Sequence, residues 1–212
     1  MSNKNKLLVA LFMIGLALFS VVQFIVLPHQ NAQDKQYEAA QLEATTHDLN
    51  SILPYKNDYM GNNSNIINLF WHLPLIGSEM KFQLFPETFT LEIDYRNTLL
   101  STGKESMSRK PFASSGTIDE LNKLYQKEVE KSLIYNSTAA FSLIGNLEHI
   151  IYRFSDVSYQ VSRANVEALY LDHNNLLNPT IWKEEVQSKL NDDNYVAATA
   201  EKILIREDTA KQ

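Results

Sequence analysis

The sequence predicts an α+β protein: an N-terminal transmembrane helix followed by a small antiparallel sheet of two hairpins packed with helices. Three observations carry this. Leu7–Leu27 is an uncharged run of 21 residues whose only polar side chains are Ser20 and Gln23. Apolar and polar residues alternate in two places, Met80–Tyr95 and His149–Val161. Apolar residues recur at helical spacing after Ile66 and again after Ile118.

A helix of that first length crosses the roughly 30 Å hydrocarbon core of a bilayer. The run is longer than the apolar stretch of a signal peptide, and Pro28-His29-Gln30-Asn31-Ala32 offers no small-residue cleavage pair, so an uncleaved anchor is expected. Lys4 and Lys6 precede the span and no acid occurs before Asp34. Positive charge stays on the cytoplasmic side, which puts the N-terminus inside the cell and everything after about residue 28 outside.

The remainder, from Pro28, holds all 25 acids and 17 of the 19 bases, a formal charge of −8. That balance excludes a nucleic-acid surface, which needs a basic patch. The chain has no cysteine, so disulfides, thiol catalysis and cysteine-ligated zinc are excluded together. With its Lys- and Asn-rich composition, this fits an exported protein of a Gram-positive bacterium. The expected organisation is 1–27, a short cytoplasmic end and anchor; 28–50, a solvated helix or linker; 51–190, the α+β domain; and 191–212, a C-terminal helix and a polar, frayed tail.

In chain order, Gly61 permits a tight turn and the Asn or Ser after it caps a helix over about Asn63–Leu73, where Ile66, Leu69, Phe70 and Leu73 share a face. Met80, Phe82 and Leu84, then Phe89, Leu91, Ile93 and Tyr95, flank Pro86-Glu87 as a hairpin. Asn97–Gly116 is a long Ser-rich connection with Lys104, Arg109 and Lys110, a length that is usually mobile or functional. Thr117-Ile118-Asp119-Glu120 has capping-box form and opens a helix through Leu133, with a break at Asn136-Ser137 before a second piece that Gly145-Asn146 closes. A second hairpin turns at Ser155-Asp156, Ser162 caps a short helix, Asn178-Pro179 starts another, and a last helix spans about Asn194–Ile205.

Tyr59-x-Gly61-Asn62-Asn63-Ser64-Asn65, ending in Leu73-Pro74-Leu75, resembles the opening motif of a Gram-positive exported domain family of unknown function. Ala140–Glu148 and the strands leading to Val166-Glu167-Ala168-Leu169-Tyr170 resemble it too, a likeness over about Leu53–Val186. The resemblance implies small single-pass or lipid-anchored proteins, relatives of domains that accompany membrane metallopeptidase sensors of the antirepressor type. It implies no activity and supplies no catalytic residue.

No chemical motif stands out. His29, His47, His72, His149 and His173 form no His-Glu-x-x-His pattern, and Asp172-x-Asn174 lacks the glycine and glutamate of a calcium loop. No catalytic residue, metal or cofactor is expected. The candidate binding residues are Tyr59, Asn62, Asn63 and Ser64, a cluster of aromatic and amide groups suited to hydrogen-bonded contact, with Lys104, Arg109 and Lys110 of the long connection. Turn and cap chemistry is the competing reading of the first four, and solvation that of the last three. The sequence therefore points to a non-catalytic, membrane-held binding or sensing domain with a protein or peptide partner. The alternatives are an accessory or inhibitory subunit of a membrane peptidase or regulator, and a hydrolase with an unrecognised site. Exchanging Leu7–Leu27 for an unrelated span separates the first two, since only the subunit depends on the identity of its anchor.

Overall fold

The structure, a computed structural model, describes residues 12–14, 16, 19–23, 27–75, 80–96 and 118–208. The chain divides into two compact units, Met1–Ala40 and Gln41–Gln212. In the first, those residues of the apolar run that are described are helical, and α1 covers Leu27–Gln41, its described side chains almost all exposed. No helix among the described residues is long and apolar enough to cross a membrane, and part of Leu7–Leu27 lies outside them.

The second unit is α+β with a mixed five-stranded sheet. Short 3-10 turns at Leu49–Ser51 and Leu53–Tyr55 lead into α2 (Asn63–His72). Strands β1 (Lys81–Phe85) and β2 (Thr90–Asp94) form the first hairpin, and α3 (Ile118–Leu143) follows. Then come β3 (His149–Arg153), β4 (Val157–Ser162), α4 (Arg163–Glu167), α5 (Pro179–Trp182), α6 (Asp193–Ile203) and β5 (Ile205–Asp208). The sheet order is β1-β2-β3-β4-β5.

Both expected hairpins exist, but the expected all-antiparallel sheet does not: β2 and β3 pair in parallel, Leu91 opposite Ile150 and Ile93 opposite Tyr152. The reason is the connection between them. Parallel neighbours need a crossover of a dozen or more residues, and the 26-residue α3 provides one. The Phe89 carbonyl, in a left-handed turn at φ 50°, accepts from the amides of Glu148 and His149 at 2.9 and 3.1 Å and fixes where the parallel pair begins.

The tail is the second correction. Ile205, expected to end the last helix, and residues 206–208, expected to fray, form β5 on the edge of β4, with Arg206 opposite Tyr159. Asp193–Ile203 and Ile205–Asp208 thus add a helix and a strand to the second unit. Three exposed charges, Arg206, Glu207 and Asp208, blunt that edge against further pairing.

The third correction is inside α3. The sequence predicts a break at Asn136-Ser137, with Thr138 or Ser137 as a new cap, because such side chains compete for nearby backbone groups. Instead Asn136, Ser137 and Thr138 are fully buried within one continuous helix. Thr138 Oγ1 donates to Ile134 O at 2.8 Å and meets Tyr170 Oη at 3.2 Å; Ser137 Oγ meets Tyr152 Oη at 3.0 Å; Asn136 Nδ2 donates to Pro74 O at 2.7 Å. Tertiary partners replace the local ones. Core residues of α3, including Leu133, Ala140 and Phe141, share one cluster with Leu91, Ile93, Ile150, Tyr152, Tyr159 and Val161 from a single face of the sheet. The opposite face is polar, with Arg153 paired to Glu92 at 2.6 Å.

Candidate functional site

The turn before α2 is held down before it can present anything. Asn57 N donates to Leu143 O at 2.8 Å and Gly145 N donates back to Asn57 O at 2.9 Å, an isolated parallel bridge at the end of α3. A Cβ on Gly145 would stand 3.1 Å from Asp58 Cα, which explains the glycine there. Met60 N donates to Asn146 Oδ1 at 2.6 Å, and the Met60 side chain is fully buried. On this base Asn62 Oδ1 accepts from Asn65 N at 3.2 Å as the cap of α2, and Asn65 Nδ2 donates to Tyr55 O at 2.5 Å.

The predicted binding residues therefore separate. Asn62 is committed to the cap; Asn62→Ala should lower stability by about 1 kcal/mol in urea unfolding. Tyr59, Asn63 and Ser64 are exposed, the Tyr59 ring lying over Gly61. Lys104, Arg109 and Lys110 lie outside the described residues. The helix adds what the sequence motif alone does not show. Ser64, Ile67, Asn68 and Trp71 follow at i, i+3, i+4 and i+7, which aligns them on one face. The opposite face, Ile66, Leu69 and Phe70, points into the core. Trp71 keeps 38% of its surface exposed, and an indole on an amphipathic helix is normally turned inward. At the end of this helix, His72 Nδ1 bonds Asn68 O at 2.7 Å and Nε2 meets Tyr55 Oη at 3.2 Å. A carbonyl only accepts, so Nδ1 donates to Asn68 O.

A second polar arrangement is buried. His47, 2% exposed, places Nδ1 2.8 Å from Tyr135 Oη and Nε2 2.6 Å from His72 O. Trp182 Nε1 donates to the same Tyr135 oxygen at 3.2 Å. Burial holds the His47 ring below the usual imidazole range, against the opposing pull of the His72 carbonyl and Asp48, and burial pushes the Tyr135 phenol up.

A cleft of about 230 Å³ lies beside the end of α3, lined among others by Phe141, Arg163, Tyr170 and His173. It is smaller than the several-hundred-Å³ pockets that hold metabolites. Its guanidinium is already engaged with three backbone carbonyls, those of Phe141, Ile144 and Leu147. No group of three His, Asp or Glu side chains able to hold a metal comes together among the described residues.

The pieces that make up the sequence motif, the Asn-capped turn, the hairpin, α3 and the second hairpin, are contiguous in this unit. The chain belongs to the family described as Domain of unknown function (DUF4825). The match covers residues 52–164, so the DUF4825 segment begins at Ile52 and ends just inside α4, short of the expected Val186. No curated protein and no solved structure matches the chain. Two members of the buried arrangement, His47 and Trp182, lie on either side of the DUF4825 segment, and Tyr135 and His72 lie within it. The flanks of this chain are thus fastened to the family's fold by hydrogen bonds that neither flank could make alone.

Proposed function

We propose that this protein is a single-pass membrane protein of a Gram-positive bacterium, its N-terminus cytoplasmic and its DUF4825 domain presented outside the membrane as a non-catalytic binding or sensing module. The observation that carries the reading is the apolar helix before α1. Phe12, Met13, Ile14, Leu16, Phe19, Val21 and Val22 are all exposed, at positions that go round the helix rather than along one face. Such a surface is costly in water and suited to lipid. Ser20 Oγ donates to Leu16 O at 2.9 Å, so even its hydroxyl is satisfied within the helix, as a hydrocarbon environment demands. Protease added to intact protoplasts should digest residues 41–212 and spare an N-terminal tag. Protection of both ends would overturn the topology.

The recognition surface is the exposed side of α2 and its turn. Apart from Asp58 it is uncharged, aromatic at Tyr59 and Trp71, and amide- and hydroxyl-bearing at Asn63, Ser64 and Asn68. Aromatic anchors ringed by neutral polar groups suit a protein or peptide partner. The double variant Tyr59→Ala, Trp71→Ala should reduce in-cell crosslinking to that partner by about tenfold or more, since an aromatic anchor carries roughly 2 kcal/mol. Its urea midpoint should stay near the parent's. Undiminished crosslinking would place recognition elsewhere.

A further inference from the structure

With a single proton on the His47 ring, the bonds around it have only one consistent direction. Trp182 Nε1 can only donate, so the Tyr135 oxygen accepts from it. The His72 carbonyl can only accept, so His47 Nε2 carries a proton. The single Tyr135 proton then points at His47 Nδ1, which must be bare. In this neutral form each of these donors meets an acceptor.

A second proton on His47 breaks this matching. Nδ1–H would face the Tyr135 oxygen, and the phenol proton would have to turn away from the one acceptor it has among the described residues. The group stays in a buried setting that penalises charge. The titratable groups facing it are few. Asp48 comes from its own segment, His72 from α2 and Tyr135 from α3, while α5 and the turn after it offer the neutral Trp182 and Gln187. Only Asp48 supplies a compensating charge.

The segment that carries His47 is also tied to Gln187. Gln187 Nε2 donates to His47 O at 2.7 Å and to Ala44 O at 3.4 Å. Ala44 and Leu49 are both buried and join the core cluster. A segment at the margin of a folded unit opens at lower free energy than the sheet. We propose that His47 is an acid-sensitive latch: its protonation releases the segment Ala44–Leu49, which follows α1 in the chain, from α2, α3 and α5 while the sheet stays folded. This is a property of the domain and does not depend on where the protein resides or what it binds.

The sign follows from linkage. The ring ionises below its ordinary value in the closed state and near 6.5 in the open one, so between those two values the open state binds more protons. Closure is complete above pH 6.5 and is lost as pH falls through the window, by at most tenfold in the opening equilibrium per pH unit for one proton.

The test is hydrogen exchange by mass spectrometry on the full-length protein in detergent micelles, at pH values from about 7.5 to 5.0, with rates corrected for intrinsic pH dependence. Protection of residues 44–52 should fall across the series, by no more than about tenfold per pH unit below 6.5, with β2 and β3 unchanged. His47→Gln, which keeps one donor and one acceptor and cannot charge, should be flat with pH. Tyr135→Phe removes a bond that favours the neutral ring, brings the closed-state ionisation nearer the open-state value, and should weaken the pH response. Constant protection down to about pH 5.0, simultaneous loss in the sheet, a pH response retained in His47→Gln, or an undiminished pH response in Tyr135→Phe would each overturn the latch.

Discussion

Arg163→Ala should cost this protein about 3 kcal/mol, read as a lowered urea midpoint of the full-length chain. The α3 helix ends in carbonyls with no partner of their own. Arg163 supplies a partner for one of them, Nη1 donating to Phe141 O at 2.8 Å, and fastens the chain just beyond the helix, Nη2 donating to Ile144 O at 2.5 Å and Nε to Leu147 O at 2.8 Å. Its charge sits at the negative end of the helix dipole, and Cζ lies 5.4 Å from the centre of the Phe141 ring. Hydrogen bonds from a charged donor contribute about 1.5–3 kcal/mol each, and water entering the cleft recovers part of what three would lose. Arg163→Lys keeps the charge but not the fork, and should still lose about 2 kcal/mol. Glu167→Gln is the control. That carboxylate accepts from Nη1 at 3.0 Å but is one-third exposed, so its loss should cost less than about 1 kcal/mol. An Arg163→Ala midpoint within about 1 kcal/mol of the parent would mean that water replaces the guanidinium.

Nothing near Arg163 in the sequence announces this role. Its carbonyl partners lie 16 to 22 residues earlier, and the His47–Tyr135 contact spans 88 residues. The elements that could be read in advance are those fixed by neighbours. Asn62, Ser162 and Asn178 each accept from backbone amides two or three residues on, and the alternation in β1–β4 is set by one wet face and one dry one. What misled was local chemistry overruled at a distance. Asn136-Ser137-Thr138 carries the residues of a helix break and found Pro74, Tyr152 and Tyr170 instead. Period-two alternation gives a strand its faces but not its direction, so the parallel meeting of β2 and β3 was out of reach. The candidate surface was legible for the same local reason: Tyr59, Asn63 and Ser64 flank a turn that had to be exposed. Trp71 was missed because an indole among Ile66, Leu69 and Phe70 reads as core.

Trp182→Ala should be the other severe substitution, at about 3–5 kcal/mol. Trp182 is the largest fully buried side chain, its ring edge-on to Tyr135 at 5.2 Å and 87°. Truncation opens a cavity and leaves the Tyr135 oxygen without its donor. Trp182→Phe divides the two effects. It keeps most of the apolar surface and removes only the indole N–H, for an expected loss of about 1 kcal/mol. The informative experiment is the cycle that adds His47→Gln. Trp182 and His47 each bond the Tyr135 oxygen, and both depend on which way one phenol proton points. If Tyr135 relays that orientation, the two substitutions should be non-additive by about 0.5–1.5 kcal/mol near pH 7.5, within the range for residues sharing one network. Additivity within about 0.3 kcal/mol would mean that the indole and the imidazole stabilise the flanks separately. The acid response of residues 44–52 would then belong to His47 and its own two bonds alone.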